Sequence, residues 1–226
     1  STDGKIIAWG DNTRAQYGKD ASGEGLIFMP ELLYGRLDVD KIGQLVSGYQ
    51  VTALVYDGKL YMWGNANALI NMESMIESSR LRYEEDGVAV KSVALSNYYG
   101  LILYEDGTVD SPANLTDKTS VTSNKNGKTN FSAIKNAVDI SATNNCFAVL
   151  SEDGEIFVQG SGEYGEKEFA DIPADEKPVS IESGTRHFVV TTDKGRAYSW
   201  GHNDFGQTEI NGKSASVAFA GAKQSY

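Results

Sequence analysis

The chain is poor in the residues on which several kinds of function depend. It has 1 cysteine, Cys146, in 226 residues, so an internal disulfide is excluded and a reducing compartment is the natural setting. Its 2 histidines, His187 and His202, cannot by themselves build the multi-histidine ligand sets of zinc enzymes, and Cys146 has no CxxC partner. No apolar run reaches the roughly 18 residues that span a bilayer, and Ser1-Thr2-Asp3-Gly4 does not read as a signal peptide. Basic charge is also short, with 20 Lys and Arg against 31 Asp and Glu and a net charge of -11. A surface this acidic repels phosphate backbones, so neither nucleic acid nor a membrane is expected as a partner. With only 4 prolines, and no Pro- or Ser-rich linker, residues 1–226 are expected to form a single domain.

What is present is a repeated turn. Asp57-Gly58 is followed by Lys59-Leu60-Tyr61-Met62-Trp63-Gly64, and Asp-Gly supplies the positive φ angles of a tight hairpin. The pair recurs at Asp3-Gly4, Asp106-Gly107 and Asp153-Gly154, and more loosely at Asp193-Lys194-Gly195. Six residues beyond each turn glycine stands another small residue: Gly10, Gly64, Ala113, Gly160 and Gly201. Five copies at spacings of about 40 to 55 residues mark a repeat architecture with one small sheet per repeat.

After the turns, the second and fourth positions hold small or aliphatic residues, such as Leu60 and Met62 or Ile156 and Val158. The third and fifth hold bulky ones, such as Tyr61 and Trp63 or Tyr198 and Trp200. Strand side chains alternate between faces, so each sheet offers an aliphatic face to one neighbour and an aromatic face to the other. Two further strands precede each turn, for example 44–48 and 51–56, and a fourth is expected in the variable segment after each small residue. That is the strand count of a propeller blade.

Trp200-Gly201-His202-Asn203-Asp204-Phe205-Gly206-Gln207 and Trp9-Gly10-Asp11-Asn12, with Tyr17-Gly18, resemble the signature of the regulator of chromosome condensation repeat family. So does Gly184 with His187-Phe188-Val189-Val190 before its turn. The resemblance covers essentially the whole chain and is weakest in the third repeat, where Ser111-Pro112-Ala113 replaces the aromatic and the glycine. The expected fold is all-β, a five-bladed β-propeller of four-stranded antiparallel blades. Val217-Ala218-Phe219-Ala220-Gly221 resembles the opening of a repeat whose turn is supplied by Asp3-Gly4, so strands from both termini are expected to close the ring.

The connections differ most between repeats. Leu26-Ile27-Phe28-Met29 and Leu32-Leu33-Tyr34 are unusually apolar for a connection and are candidate partner contacts. Lys118, Lys125 and Lys128 are a local basic concentration in the polar stretch 114–130, which is expected to be a mobile or extended loop. Leu69, Met72 and Ile76 have helical spacing, predicting a short rim helix over 67–82 in which the methionines pack. Gly160-Ser161-Gly162-Glu163-Tyr164-Gly165 matches the dinucleotide fingerprint, but no helix follows to receive a pyrophosphate. Counting back from the turns aligns Gln50, Tyr99, Cys146 and His187, whose shared role is read as positional. Asn114 and Asn130 stand in glycosylation-type sequons within a polar stretch.

No catalytic residue, metal site or cofactor is assigned. The expected function is a non-catalytic protein-interaction or structural module, an accessory or decorating subunit used in multiple copies in a larger assembly such as a virion. Its expected location is intracellular or within a virion. The resemblance implies interaction platforms, and the founding member of the family promotes guanine-nucleotide exchange on a small GTPase while binding chromatin. A regulator of a small GTPase is therefore one alternative, and a channel-sited hydrolase or lectin is another.

Overall fold

The computed structural model describes residues 4–6, 13, 36–111, 121–125, 127–216 and 218–221. The chain divides into two compact units, Ser1–Glu105 and Asp106–Tyr226.

In the first unit, β1 (Ile42–Ser47), β2 (Val51–Tyr56) and β3 (Lys59–Gly64) form an antiparallel sheet in that order. Tyr56 pairs with Lys59, leaving a two-residue turn in which Asp57 and Gly58 have φ of 52° and 74°. Directly after Gly64, the Asn65 side chain accepts hydrogen bonds from the Asn67 and Ala68 amides and caps helix α1 (Ala66–Leu81). The helix buries Ala68, Leu69, Met72 and Met75 in one core with Leu60 and Met62 of β3. Its far end carries an Arg80 pair with Glu77 and Glu84 and runs into a π-helical turn, Arg82–Asp86. Strands β4 (Val90–Leu95) and β5 (Gly100–Tyr104) follow as an antiparallel pair. The expected helix is therefore present, at 16 residues, but it is a core element and not a rim decoration. Only Asn65 separates it from β3, so its apolar seam is held against the sheet.

The second unit opens with β6 (Val109–Asp110), then the hairpin β7 (Val121–Ser123) and β8 (Gly127–Thr129). Strands β9 (Ala137–Ala142), β10 (Cys146–Ser151) and β11 (Ile156–Gly160) follow, then β12 (Pro178–Ser183), β13 (His187–Thr192), β14 (Arg196–Gly201) and β15 (Lys213–Ser214). Its sheets have the orders β8-β7-β11-β10-β9 and β12-β13-β14-β15. The stretch expected to be a loop over 114–130 is corrected here for its second half. Residues 121–123 and 127–129 are strands because Val121 is buried and Asn124 extends the ladder, its amide donating to the Ile156 carbonyl and its side-chain oxygen accepting from the Ile156 amide. This hairpin supplies the outer strand of the β9–β11 sheet from the preceding repeat, whereas β15 is supplied from after its own strand.

The repeat is written in backbone hydrogen bonds. The amides of Asp57, Glu105, Glu152 and Asp193 donate to the carbonyls of Lys41, Ala89, Asn136 and Lys177, tying each turn to the entry of its first strand. The amides of Gly48, Ser96, Thr143 and Gly184 donate to the carbonyls of Val51, Tyr99, Cys146 and His187 at 2.8 to 3.0 Å. This register aligns Val51, and not Gln50, with Tyr99, Cys146 and His187. The two-residue turn of the second repeat is one residue shorter on its leading side, which is why counting back from the glycine slips there. At the end of the third strand, Gly64, Gly160 and Gly201 have φ of 130°, 140° and 109°. A Cβ on them would stand 2.3, 2.2 and 2.7 Å from the carbonyls of Gln50, Asn145 and Arg186. Shape and conformation together demand glycine there.

The alternation of faces holds in the second unit. Cys146, Ala148, Leu150, Ile156 and Val158 of one sheet pack with Phe188, Tyr198 and Trp200 of the next in a single core. Polar side chains stitch first strand to first strand. Gln44 accepts from the Val93 amide at 2.7 Å, and Asp139, at the matching position, accepts from the Ile181 amide at 2.9 Å. The architecture is thus antiparallel β-sheets of blade type, with one helix built into the first unit. The expected number of blades and the closing contact involve residues 1–3, 7–12 and 222–226, outside the described residues.

Candidate functional site

The site grows from the two loops that follow the invariant-conformation glycines Gly160 and Gly201. Each loop is folded the same way: Gly165 donates to the Gly162 carbonyl and Gly206 to that of Asn203, while Glu168 and Glu209 donate to the carbonyls of Gly165 and Gly206. Glu166 and Gln207 occupy one position, both buried, each accepting a bond from the amide two residues earlier, that of Tyr164 or Phe205. The Trp200 indole N–H donates to the Glu166 carbonyl at 2.8 Å and anchors the first loop to the neighbouring sheet. The fingerprint-like glycines are therefore turn glycines, with Gly162 and Gly165 at φ of 65° and 82°, and the Gly162 amide is already donated to Cys146 Sγ at 3.3 Å.

Buried chemistry here serves the fold. Burial, with the Glu166 carboxylate nearby, pushes the Cys146 thiol up to about 11, which keeps it protonated and a poor nucleophile near neutrality. Glu176 is buried and receives Thr192 Oγ1 at 2.9 Å, Arg196 Nη1 at 2.6 Å and the Tyr198 hydroxyl at 3.2 Å, a closed structural network. His187 is buried, and Gly184 makes room for it: a Cβ there would lie 2.3 Å from His187 Cε1. Among the described residues, no group of three or more His, Cys, Asp or Glu is arranged to hold a metal ion.

At the surface, the two loops and the β12–β13 turn bring four groups into a row. The Arg186 guanidinium lies 4.0 Å over the Tyr164 ring. Tyr164 meets His202 edge to face at 5.7 Å and 86°, and His202 lies 6.4 Å from Phe205. Phe205 is 63% exposed. His202 Nε2 is 3.0 Å from Asp204, and its Nδ1 is 3.3 Å from Gln207 Nε2. The first unit shows a different face: its matching turns carry exposed Tyr49 and Tyr98. It also has a groove of about 310 Å³ between β3 and α1, lined by Leu60, Tyr61, Ile76 and Tyr83 among others.

Of the contact residues expected from sequence, Leu26, Ile27, Phe28, Met29, Leu32, Leu33, Tyr34 and Lys118 lie outside the described residues. Lys125 donates to the Asp153 carbonyl at 2.9 Å and Lys128 stands in β8, so the hairpin fold, and not a loose basic loop, sets their positions. The Arg186 to Phe205 row was not anticipated. Its signal was present, since Tyr164 and Phe205 hold one position of the repeat and both are aromatic.

Sheets of this kind, repeated with a shared hydrogen-bond grammar, define a repeat protein of blade-type β architecture. The chain resembles the regulator of chromosome condensation (RCC1) repeat family: the RCC1 repeat model matches residues 179–207, a small part of the chain. The E3 ubiquitin-protein ligase HERC2 of Homo sapiens is 26% identical over 228 residues, 90% of this chain but 5% of that protein. The secretion-regulating guanine nucleotide exchange factor of Mus musculus is 32% identical over 72 residues, 26% of this chain and 16% of that protein. The chain thus spans a small part of these relatives. Among solved structures, yeast RCC1 (Prp20) bound to Kap60 matches with a TM-score of 0.61 at 15% identity, covering 95% of this chain and 61% of that one. Human WBSCR16 matches with a TM-score of 0.54 at 18% identity, covering 83% and 58%.

Proposed function

We propose that the chain is a non-catalytic protein-interaction module in which both units belong to one propeller domain. One observation carries the reading. Positions shared by the repeats are spent on packing and backbone bonds, while the turns present aromatic and charged side chains that the core does not use. Kap60 in the yeast structure is a protein partner of a protein with this fold, which supports the reading by likeness of fold. The finer form is an accessory or decorating subunit present in several copies in a larger assembly such as a virion, with 26–29, 32–34 and the lysines Lys118, Lys125 and Lys128 as further contact candidates.

The test is reconstitution. The purified chain is mixed with candidates from its native assembly and the complex is weighed by light scattering after size-exclusion chromatography. A defined stoichiometric complex is the expected result; a chain that stays monomeric with every component of its native lysate sinks the reading. A second reading is regulation of a small GTPase, favoured by the stretch shared with an exchange factor. Accelerated release of a fluorescent guanine nucleotide would support it.

A further inference from the structure

We propose that the row Arg186, Tyr164, His202 and Phe205 is a docking site for an extended segment of a partner protein in which an acidic and an aromatic side chain lie on the same face of the segment. The proposal rests on the interaction-module reading and names its chemistry.

The chain carries 31 acidic residues against 20 basic ones, and Arg80 and Arg196 are each engaged by carboxylates. Arg186 makes no ion pair among the described residues, although its turn is held in place. Its guanidinium is instead laid on the Tyr164 ring. A guanidinium held over a ring keeps its N–H donors at the edge of its own plane, from which a carboxylate can be met with two parallel bonds. The stack also fixes a side chain that would otherwise lose rotamer entropy on binding.

The rest of the row supplies the apolar half. Phe205 is exposed while its backbone is fixed by the Gln207 side chain, so a ring is offered on a rigid support. His202 bridges between the two ends, braced by Gln207 and Asp204. A cation beside a preorganised aromatic surface is the composition of an interface anchor. The acidic neighbours Glu163 and Asp204 constrain the partner: Asp204 is taken up by His202, so only a carboxylate brought into direct contact with Arg186 gains.

The experiment uses the full chain and short fluorescein-labelled peptides, acetylated and amidated, with a central Glu-Ser-Phe or a matched Gln-Ser-Phe, read by fluorescence anisotropy. The Glu-Ser-Phe peptide is expected to bind about fivefold tighter or more. Arg186→Gln is expected to abolish that difference while keeping a planar group over Tyr164, so it reports even if Arg186→Ala disturbs the turn. Arg186→Lys should keep part of it, and Phe205→Ser should weaken both peptides alike. Equal binding of the two peptides, no saturable binding of either, or a preference that survives Arg186→Gln overturns the site. A peptide with a free C-terminus and no acidic side chain that binds as tightly overturns the choice of a side-chain carboxylate. If the peptides fail but an assembly partner is still retained undiminished by Arg186→Gln, this site falls alone and the module reading stands.

Discussion

The sheet β1–β3 and the sheet β9–β11 have the same three strands, the same turn bonds and the same obligatory glycine, yet they are completed differently. A helix of 16 residues closes one, and a hairpin from the preceding repeat closes the other. The sheet β12–β14 uses a third device, the two-residue strand β15. The repeat therefore specifies the inner strands and leaves the outer element free, provided that it buries apolar surface and meets the third strand. This is the pattern expected where nearest-neighbour packing, not the outline of each unit, carries stability.

Mutations separate the shared inner strands from the elements that complete them. Trp200→Ala, which empties the aromatic face joining the last two sheets, is expected to cost about 3–5 kcal/mol in urea unfolding. Met72→Ala, on the buried face of α1, should cost about 2–5 kcal/mol and should exceed Val121→Ala in the substitute hairpin; the reverse order would show that the helix is dispensable trim. Gly160→Ala is expected to lose about 3 kcal/mol, combining φ of 140° with a 2.2 Å approach to the Asn145 carbonyl. Gly87→Ala, with φ of 69° and nothing within 4 Å, should lose only about 1 kcal/mol.

Because the folded Cys146 thiol sits near 11 against an ordinary 9.0, the unfolded chain gives up this proton first as pH rises. Stability should therefore fall between about pH 9 and 11 by at most about 2–3 kcal/mol, and the fall should be smaller in Cys146→Ala, read from urea midpoints against pH. Asp139→Ala and Gln44→Ala remove equivalent stitches between first strands. The aspartate is expected to cost about 1–3 kcal/mol and the glutamine about 1, since a charged acceptor makes the stronger bond; equal values would remove that distinction.

Much of the fold was legible because it rests on short-range rules. Asp-Gly turns, alternating faces and the small residue after each third strand are local patterns, and the helical spacing of Leu69, Met72 and Ile76 was visible. Three things were not. The slip at Gln50 comes from a turn one residue shorter, which changes register without changing the Asp-Gly signature. The β7–β8 hairpin hides in a Thr-, Ser- and Asn-rich stretch because its strands are three residues each and gain their order from β11, far along the chain. The Arg186 stack depends on two loops meeting a turn, a juxtaposition that no periodicity records.

The order in which the chain is synthesised gives the upstream hairpin a further meaning. Residues 121–129 leave the ribosome before 156–160, so when β11 emerges its cover is already waiting and the open ladder of amides and carbonyls is exposed only briefly. The strand at 196–201 must instead wait for 213–214 to follow. Nascent chains arrested just after Gly201 should accordingly be stickier than chains arrested just after Gly160, since an uncovered strand margin is what recruits other chains.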